Sequence, residues 1–373
     1  MLRGIVAAEV LDDPDRAGAA YATAIWSSLV EPGDGVAGAL VAALGPVEAL
    51  AVVTDESLLR DERLEDGRRR WRPRIGDAAL ALDRARDAGI RLLVPGEPGW
   101  PVALDDLGAH APLCLWIRGD GALLAERTPR VAVVGARAST GYGEHVAAEL
   151  CAELAGEGVV IVSGGAYGID GTAHRAALAV GGPTVALLAG GVDRPYPAGH
   201  TDLLARIART GLVASEVPCG STPTKWRFLQ RNRCIAAAAA ATVVVEAGWR
   251  SGSLNTAGHA AALGRPLGAV PGPVTSAASA GCHRLLRDYD ARCITGAEDV
   301  RELLGLEGAA AAAGTARTDE ATRVLDALSH RQPRETEDVA RRAGLGAPET
   351  QSMLGMLELE GAVERRPDGW RRR

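Results

Sequence analysis

The chain has 373 residues, 47% hydrophobic and 24% charged, which suits two or three folded domains and excludes a disordered chain. A formal net charge of -6 and a pI near 5.7 exclude attachment to nucleic acid or membrane by bulk charge, so any polyanion site must be a local patch. No apolar run approaches the roughly 20 residues of a membrane span, no signal-peptide core follows Met1, and six cysteines without a C-x-x-C pair point to a reducing cytoplasm with neither structural zinc nor disulfides.

In chain order, residues 1–75 read as a small helical domain. Tyr21–Leu29 and Val36–Ala43 are helical, separated by the turn Glu31-Pro32-Gly33-Asp34-Gly35, and Gly45-Pro46 breaks the chain before Val47–Val53. The Arg-rich stretch 61–74 is expected as a solvated connection. A helix over Ala78–Ala88 and strands at 91–94 and 113–117 follow. From residue 130 short apolar runs alternate with helical stretches. The runs Val131–Val134, Val159–Val162, Thr184–Leu188, Leu212–Ala214, Thr242–Val245 and Gly268–Val270 suit buried parallel strands. Helices are expected at Gly143–Ala155, Gly171–Val180, His200–Ala208, Phe228–Ala241 and Leu254–Leu263. The fold class is therefore α/β, an extended Rossmann-like doubly wound sheet over 76–306. The low-complexity stretch 307–317 reads as a linker. Helices at Glu320–Leu328, Glu335–Ala343 and Pro348–Glu360, then a hairpin around Asp368-Gly369, make 318–373 a winged-helix module.

Four turns carry the chemistry. The first strand runs into Gly135-Ala136-Arg137, where backbone N–H groups and a guanidinium suit a phosphate; a solvated arginine on a plain strand-end turn is the bland alternative. The second strand runs into Ser163-Gly164-Gly165 and on to Asp170 and His174. Glycines there allow close backbone approach to a ligand, while Asp170 as a cap and His174 as a packed side chain are favoured over catalysis or metal binding. In Lys225–Arg233, four cations are interleaved with Trp226 and Phe228, and no acid lies between Val217 and Val245. Cations for phosphates and a ring for bases form the pairing that single-stranded DNA needs. Lys225 and Phe228 are the chain's one lysine and one phenylalanine. The alternative is a solvated basic helix face. Last, Ser251-Gly252-Ser253 offers donors ahead of a helix, and Glu246 is a strand-end carboxylate with no acid nearby to pair with. The only lysine is followed by Trp226, so no P-loop exists.

These stretches, with Gly191–Pro197, Pro98–Pro101 and Val270-Pro271-Gly272, resemble in order the signature of the DNA-processing protein A (DprA/Smf) family, strongly over 100–305. The resemblance implies a cytoplasmic single-stranded-DNA-binding recombination mediator, usually a homodimer. Its partner would be the RecA recombinase, which it helps load onto incoming DNA during natural transformation. It implies no catalytic turnover, no cofactor, no metal and no membrane. Phosphate and base contacts then fall on Arg137, Ser163, Gly164, Lys225, Phe228, Arg231 and Arg233. Gly135, Gly165, Asn232, Ser251, Gly252 and Ser253 complete the expected DNA-binding set. Leu229 departs from the family's usual proline, and His200 and His283 from its frequent asparagines. The alternative is a nucleotide-binding enzyme like the lysine-decarboxylase-like nucleoside-phosphate hydrolases, whose P-G-G-x-G-T-x-x-E stretch is not matched here.

Overall fold

The structure, a computed structural model, describes residues 1–55, 58, 61–125, 128–306 and 319–373. The expected linker, 307–317, lies outside the described residues. The chain forms two compact units, Met1–Gly305 and Leu306–Arg373.

The first unit is built on nine strands: β1 (Arg91–Leu93), β2 (Leu115–Gly119), β3 (Arg130–Gly135), β4 (Val160–Ser163), β5 (Thr184–Leu188), β6 (Leu212–Ser215), β7 (Ala241–Glu246), β8 (Leu267–Ala269) and β9 (Arg292–Cys293). They form one sheet in the order β1-β2-β6-β5-β4-β3-β7-β8-β9. The run from β6 to β9 is parallel, while β1 and β2 join antiparallel at one edge. The sheet is thus mixed rather than wholly parallel. Strand alternation divides the core: Val131, Val133 and Ile161 pack under the helices Gly141–Gly156 and Ile169–Ala179, while Ala132, Val134 and Val162 pack under Lys225–Ala237 and Ser253–Ala262. The chain leaves β3 toward β4 on one side and later returns to β7 on the other. That order makes a switch point, where the C-terminal strand ends of β3 and β7 open a crevice.

Two sequence expectations need correction. The helix expected over Phe228–Ala241 runs Lys225–Ala237. Thr224 caps it by accepting from the Arg227 N–H at 3.2 Å, and its alanine-rich end is claimed by the sheet, where Ala241 pairs with Val131. The stretch 61–74 is no solvated connection. It holds a helix, Glu62–Trp71, capped by Asp61. Arg68 is 1% exposed there and donates to the Val52 carbonyl at 3.0 and 2.8 Å, at the C-terminal end of the helix Pro46–Thr54. Trp71 packs edge-on to Trp26 at 5.4 Å and donates to Asp34.

Residues 1–75 divide between two cores. Trp26, Leu29, Val52, Leu64 and Trp71 form their own cluster, while Ile5, Val10, Ala20 and Ala24 share one with Leu92, Trp116 and Val213 of the sheet. The second unit holds the helices Asp319–Ala327, Thr336–Ala343 and Ala347–Leu359 and the hairpin of β10 (Val363–Arg366) and β11 (Gly369–Arg372), as expected. Val324, Val339, Leu354, Val363 and Trp370 are its core.

Candidate functional site

At the switch point lies a cleft of about 510 Å³. Four segments wall it: Val134–Ala138 after β3, Ala166 and Asp170 after β4, Phe228–Ile235 of the helix Lys225–Ala237, and Gly248–Thr256 after β7. Elements far apart in the sequence meet here because parallel strands place all their C-terminal turns on one edge.

Glycines and one carboxylate set the first turn. A Cβ on Gly135 would lie 2.5 Å from Ile169, and one on Gly168, at φ +76°, 2.2 Å from the Ala136 carbonyl oxygen, so the two strand-end turns pack backbone to backbone. Glu246, 2% exposed, accepts from the Thr140 N–H at 2.8 Å and its hydroxyl at 2.6 Å. Both carboxylate oxygens hold the start of the helix Gly141–Gly156, which is a positioning duty.

Arg137 is exposed and stands over the Phe228 ring, guanidinium carbon to ring centre 4.6 Å. It has no carboxylate partner among the described residues. Phe228 is half-buried, with Tyr196 tilted against it at 5.8 Å and Arg231 at 5.8 Å. Arg231 is 7% exposed; its Nη1 donates to the carbonyls of Gly164 at 2.7 Å and Leu187 at 2.5 Å, and its guanidinium lies flat where a Cβ of Gly164 would be. Burial pushes Arg231 down to about 10, only partly opposed by Asp170, and Arg137 nearby adds to the lowering. Burial likewise raises Asp170 above the usual carboxylate range, against the pull of Arg231 and of the Ala166 and Gly164 amides. The cleft therefore holds three arginines, Arg137, Arg231 and Arg250, against one acid, Asp170. An excess of positive charge beside an aromatic face can neutralise phosphates and stack a base.

The expected residues sort by placement. Gly135, Arg137, Phe228, Arg231, Asn232, Ser251, Gly252 and Ser253 line the cleft. Asn232 bonds the Gly252 carbonyl and Asn255, fixing the helix to the loop after β7, and Ser251 and Ser253 share a hydrogen bond at 2.7 Å. Ser163 and Gly164 stand behind the wall. Ser163 is fully buried and donates to the Val133 carbonyl, and the Gly164 amide donates to Asp170. Gly165, at φ +66°, turns the chain there, and its carbonyl is hydrogen-bonded to His200 Nδ1 at 3.0 Å. Lys225 is exposed at the first turn of its helix and is not a wall residue.

Arg233 is a correction. It is 3% exposed and pairs with Glu216 through both terminal nitrogens at 2.7 and 2.6 Å, so it is not brought to the cleft. Arg227, on the same helix, is 8% exposed and paired with Glu31 through two bonds of 2.8 Å. The four cations do not form one solvated face, because acids from outside the acid-free stretch neutralise two of them. His174 is fully buried against Thr184 and burial lowers it to about 3, so it stays neutral; Asp170 holds the turn amides. Among the described residues no cluster could hold a metal ion.

Two participants were missed. Arg250 lines the cleft, and its signal was its place beside Ser251. Tyr196 packs on Phe228; the stretch Gly191–Pro197 also pins the approach to the basic helix, since Asp193 accepts from the Gly220 amide at 2.8 Å.

The family described as DNA recombination-mediator protein A matches residues 91–305, and the DprA winged helix domain matches 308–369. A putative DNA processing protein DprA of Mycobacterium tuberculosis is 46% identical over 370 residues, 94% of each chain. The DprA crystal structure from Streptococcus pneumoniae superposes with a TM-score of 0.63 at 32% identity, covering 75% of this chain and 95% of that one. A DprA of Helicobacter pylori, described as having a unique single-stranded DNA binding mode, superposes at 0.51 with 33% identity over 55% of this chain and 93% of its own. With near full-length identity of that order and the family's domain spanning the sheet that carries the cleft, the chain belongs to the DNA-processing protein A (DprA/Smf) family.

Proposed function

We propose that the cleft binds single-stranded DNA and that the protein is a recombination mediator, protecting incoming strands in the cytoplasm and helping to load RecA onto them during natural transformation, as a homodimer. The observation that carries the reading is the Arg137 guanidinium over the Phe228 face, with Arg231 and Arg250 beside it. A duplex exposes no base face to stack on, whereas a single strand presents one at every nucleotide, so binding is tolerant of sequence. The relationship to the Helicobacter pylori protein supports the same ligand.

Gel-shift titration with oligo-dT and with blunt duplex of equal length tests this. Oligo-dT should bind much more tightly, with affinity falling as salt rises; equal affinities would overturn the reading. A pulldown of RecA on coated oligo-dT, with and without the protein, tests the mediator role. No catalytic turnover is proposed, because Glu246, the glutamate that ends β7, is occupied by Thr140. Phosphate or base released from nucleotides above a Glu246→Gln control would restore the hydrolase alternative. The winged helix need not be the main site. Residues 318–373 carry ten arginines against eleven acids, so truncation after Leu306 should keep most single-strand affinity.

A further inference from the structure

Of the seven tryptophans, Trp26, Trp71, Trp100, Trp116 and Trp370 are at most 4% exposed. Trp226 and Trp249 are each 56% exposed; neither lines the cleft, but Trp226 is on the helix Lys225–Ala237 that supplies one wall and Trp249 is in the loop that supplies another. Trp226 lies two residues ahead of Phe228, and Trp249 lies between the wall residues Gly248 and Arg250. Leaving a large ring in water forgoes the burial that the other five obtain. Each exposed indole also has a cation for a neighbour. Lys225 precedes Trp226 and is exposed, and Arg250 follows Trp249 and is exposed. Neither cation has an ion-pair partner among the described residues. Arg284 stands over the Trp249 ring at 5.3 Å and is itself paired with Asp288 at 3.9 Å, so it braces the ring without adding a free charge. Ring and cation, in contact in the cleft at Phe228 and Arg137, are thus also neighbours in sequence at two exposed positions beside it.

We propose that Trp226 and Trp249 are stacking platforms for bases outside the cleft, so that a strand seated against Phe228 continues onto both indoles, its phosphates following Lys225 and Arg250. The proposal rests on the reading of the cleft as a single-strand site and adds the extent of its footprint. Every nucleotide has a face to stack, so the platforms would lengthen the site without imposing a sequence.

The test is anisotropy titration of the full chain with labelled oligo-dT, stepped from about 4 to about 16 nucleotides, the span of single-strand site sizes. Trp226→Ala and Trp249→Ala should leave the shortest oligomer's affinity unchanged and weaken the longer ones by about tenfold each. Trp226→Phe and Trp249→Phe should restore most of that loss, whereas Phe228→Ala should weaken every length. Saturating oligo-dT should quench the tryptophan emission of the wild type and leave that of the double alanine variant unchanged. Loss at all lengths alike, or no loss at any, would overturn the proposal. So would a change in oligomeric state of either variant in light scattering, which would assign the ring to a protein contact. Failure of the wild type to bind any oligomer would instead refute the cleft reading itself.

Discussion

Arg227 and Arg233 on one hand, and Lys225 and Arg231 on the other, are four cations within nine residues of one helix, and they meet opposite environments. The first two are locked to Glu31 and Glu216, carboxylates that lie far off or outside the helix and reach it only through the fold. Arg231 faces the cleft and bonds neutral carbonyls, so its charge is not cancelled by a direct ion pair. Lys225 is exposed and sits in the first helical turn, where a cation opposes the helix dipole. A basic sequence becomes a binding surface only where no acid from another segment reaches it first. The paired side acts as an anchor, and the open side is left to a ligand.

The largest expected effect lies on the anchored side. Arg233→Ala would leave Glu216 as an uncompensated, mostly buried carboxylate, a loss of about 3–5 kcal/mol in folding stability by denaturant titration. If instead stability held and single-strand affinity collapsed, Arg233 would be a ligand contact and the contrast would fail. On the open side, Phe228→Ala should weaken oligo-dT binding by about 1–3 kcal/mol, with the salt dependence nearly unchanged, because stacking releases no counterions. A changed slope, or unfolding in a thermal melt, would make Phe228 a packing residue. Arg137→Ala should lower the slope of log affinity against log salt by about 0.7, one phosphate contact on a single strand. Lys225→Ala should reduce the slope similarly while raising stability by about 0.3–1 kcal/mol, since it removes a cation from a helix N-terminus. A destabilised Lys225→Ala would place that lysine among the anchors.

The smallest effect is in acid. Burial alone would raise Glu31, but its bonds to Arg227 and the charges of Arg227 and Arg74 hold it below its ordinary 4.5. A depressed carboxylate gives stability that is complete above its unfolded value and is lost as pH falls through the folded one. Melting temperatures of the wild type should therefore fall more steeply below about pH 4.5 than those of Glu31→Gln. Parallel curves would show that Glu31 does not anchor the helix.

The six buried strands from β3 to β8 were legible to within a residue or so, because parallel strands covered on both faces are continuous apolar runs. The wall residues Gly135, Arg137, Phe228 and Ser251–Ser253 were legible because each follows a strand or opens a helix. Residues 61–74 were not. Its arginines look solvated by composition, yet Arg68 is buried because backbone carbonyls at the end of another helix receive it. Ser163 and Gly164 were expected as contacts and lie behind the cleft wall, since a glycine in a turn can admit either a ligand or, as here, the flat guanidinium of Arg231.

Local pattern alone determined which segments are strands, where the glycine turns fall and that a ring and a set of cations share one helix, because apolar periodicity and turn chemistry act over a few residues. The tertiary structure alone decided which cations remain unpaired. Ion pairing depends on distance through space, and Glu31 lies 196 residues from Arg227 along the chain while its carboxylate is 2.8 Å away in the fold.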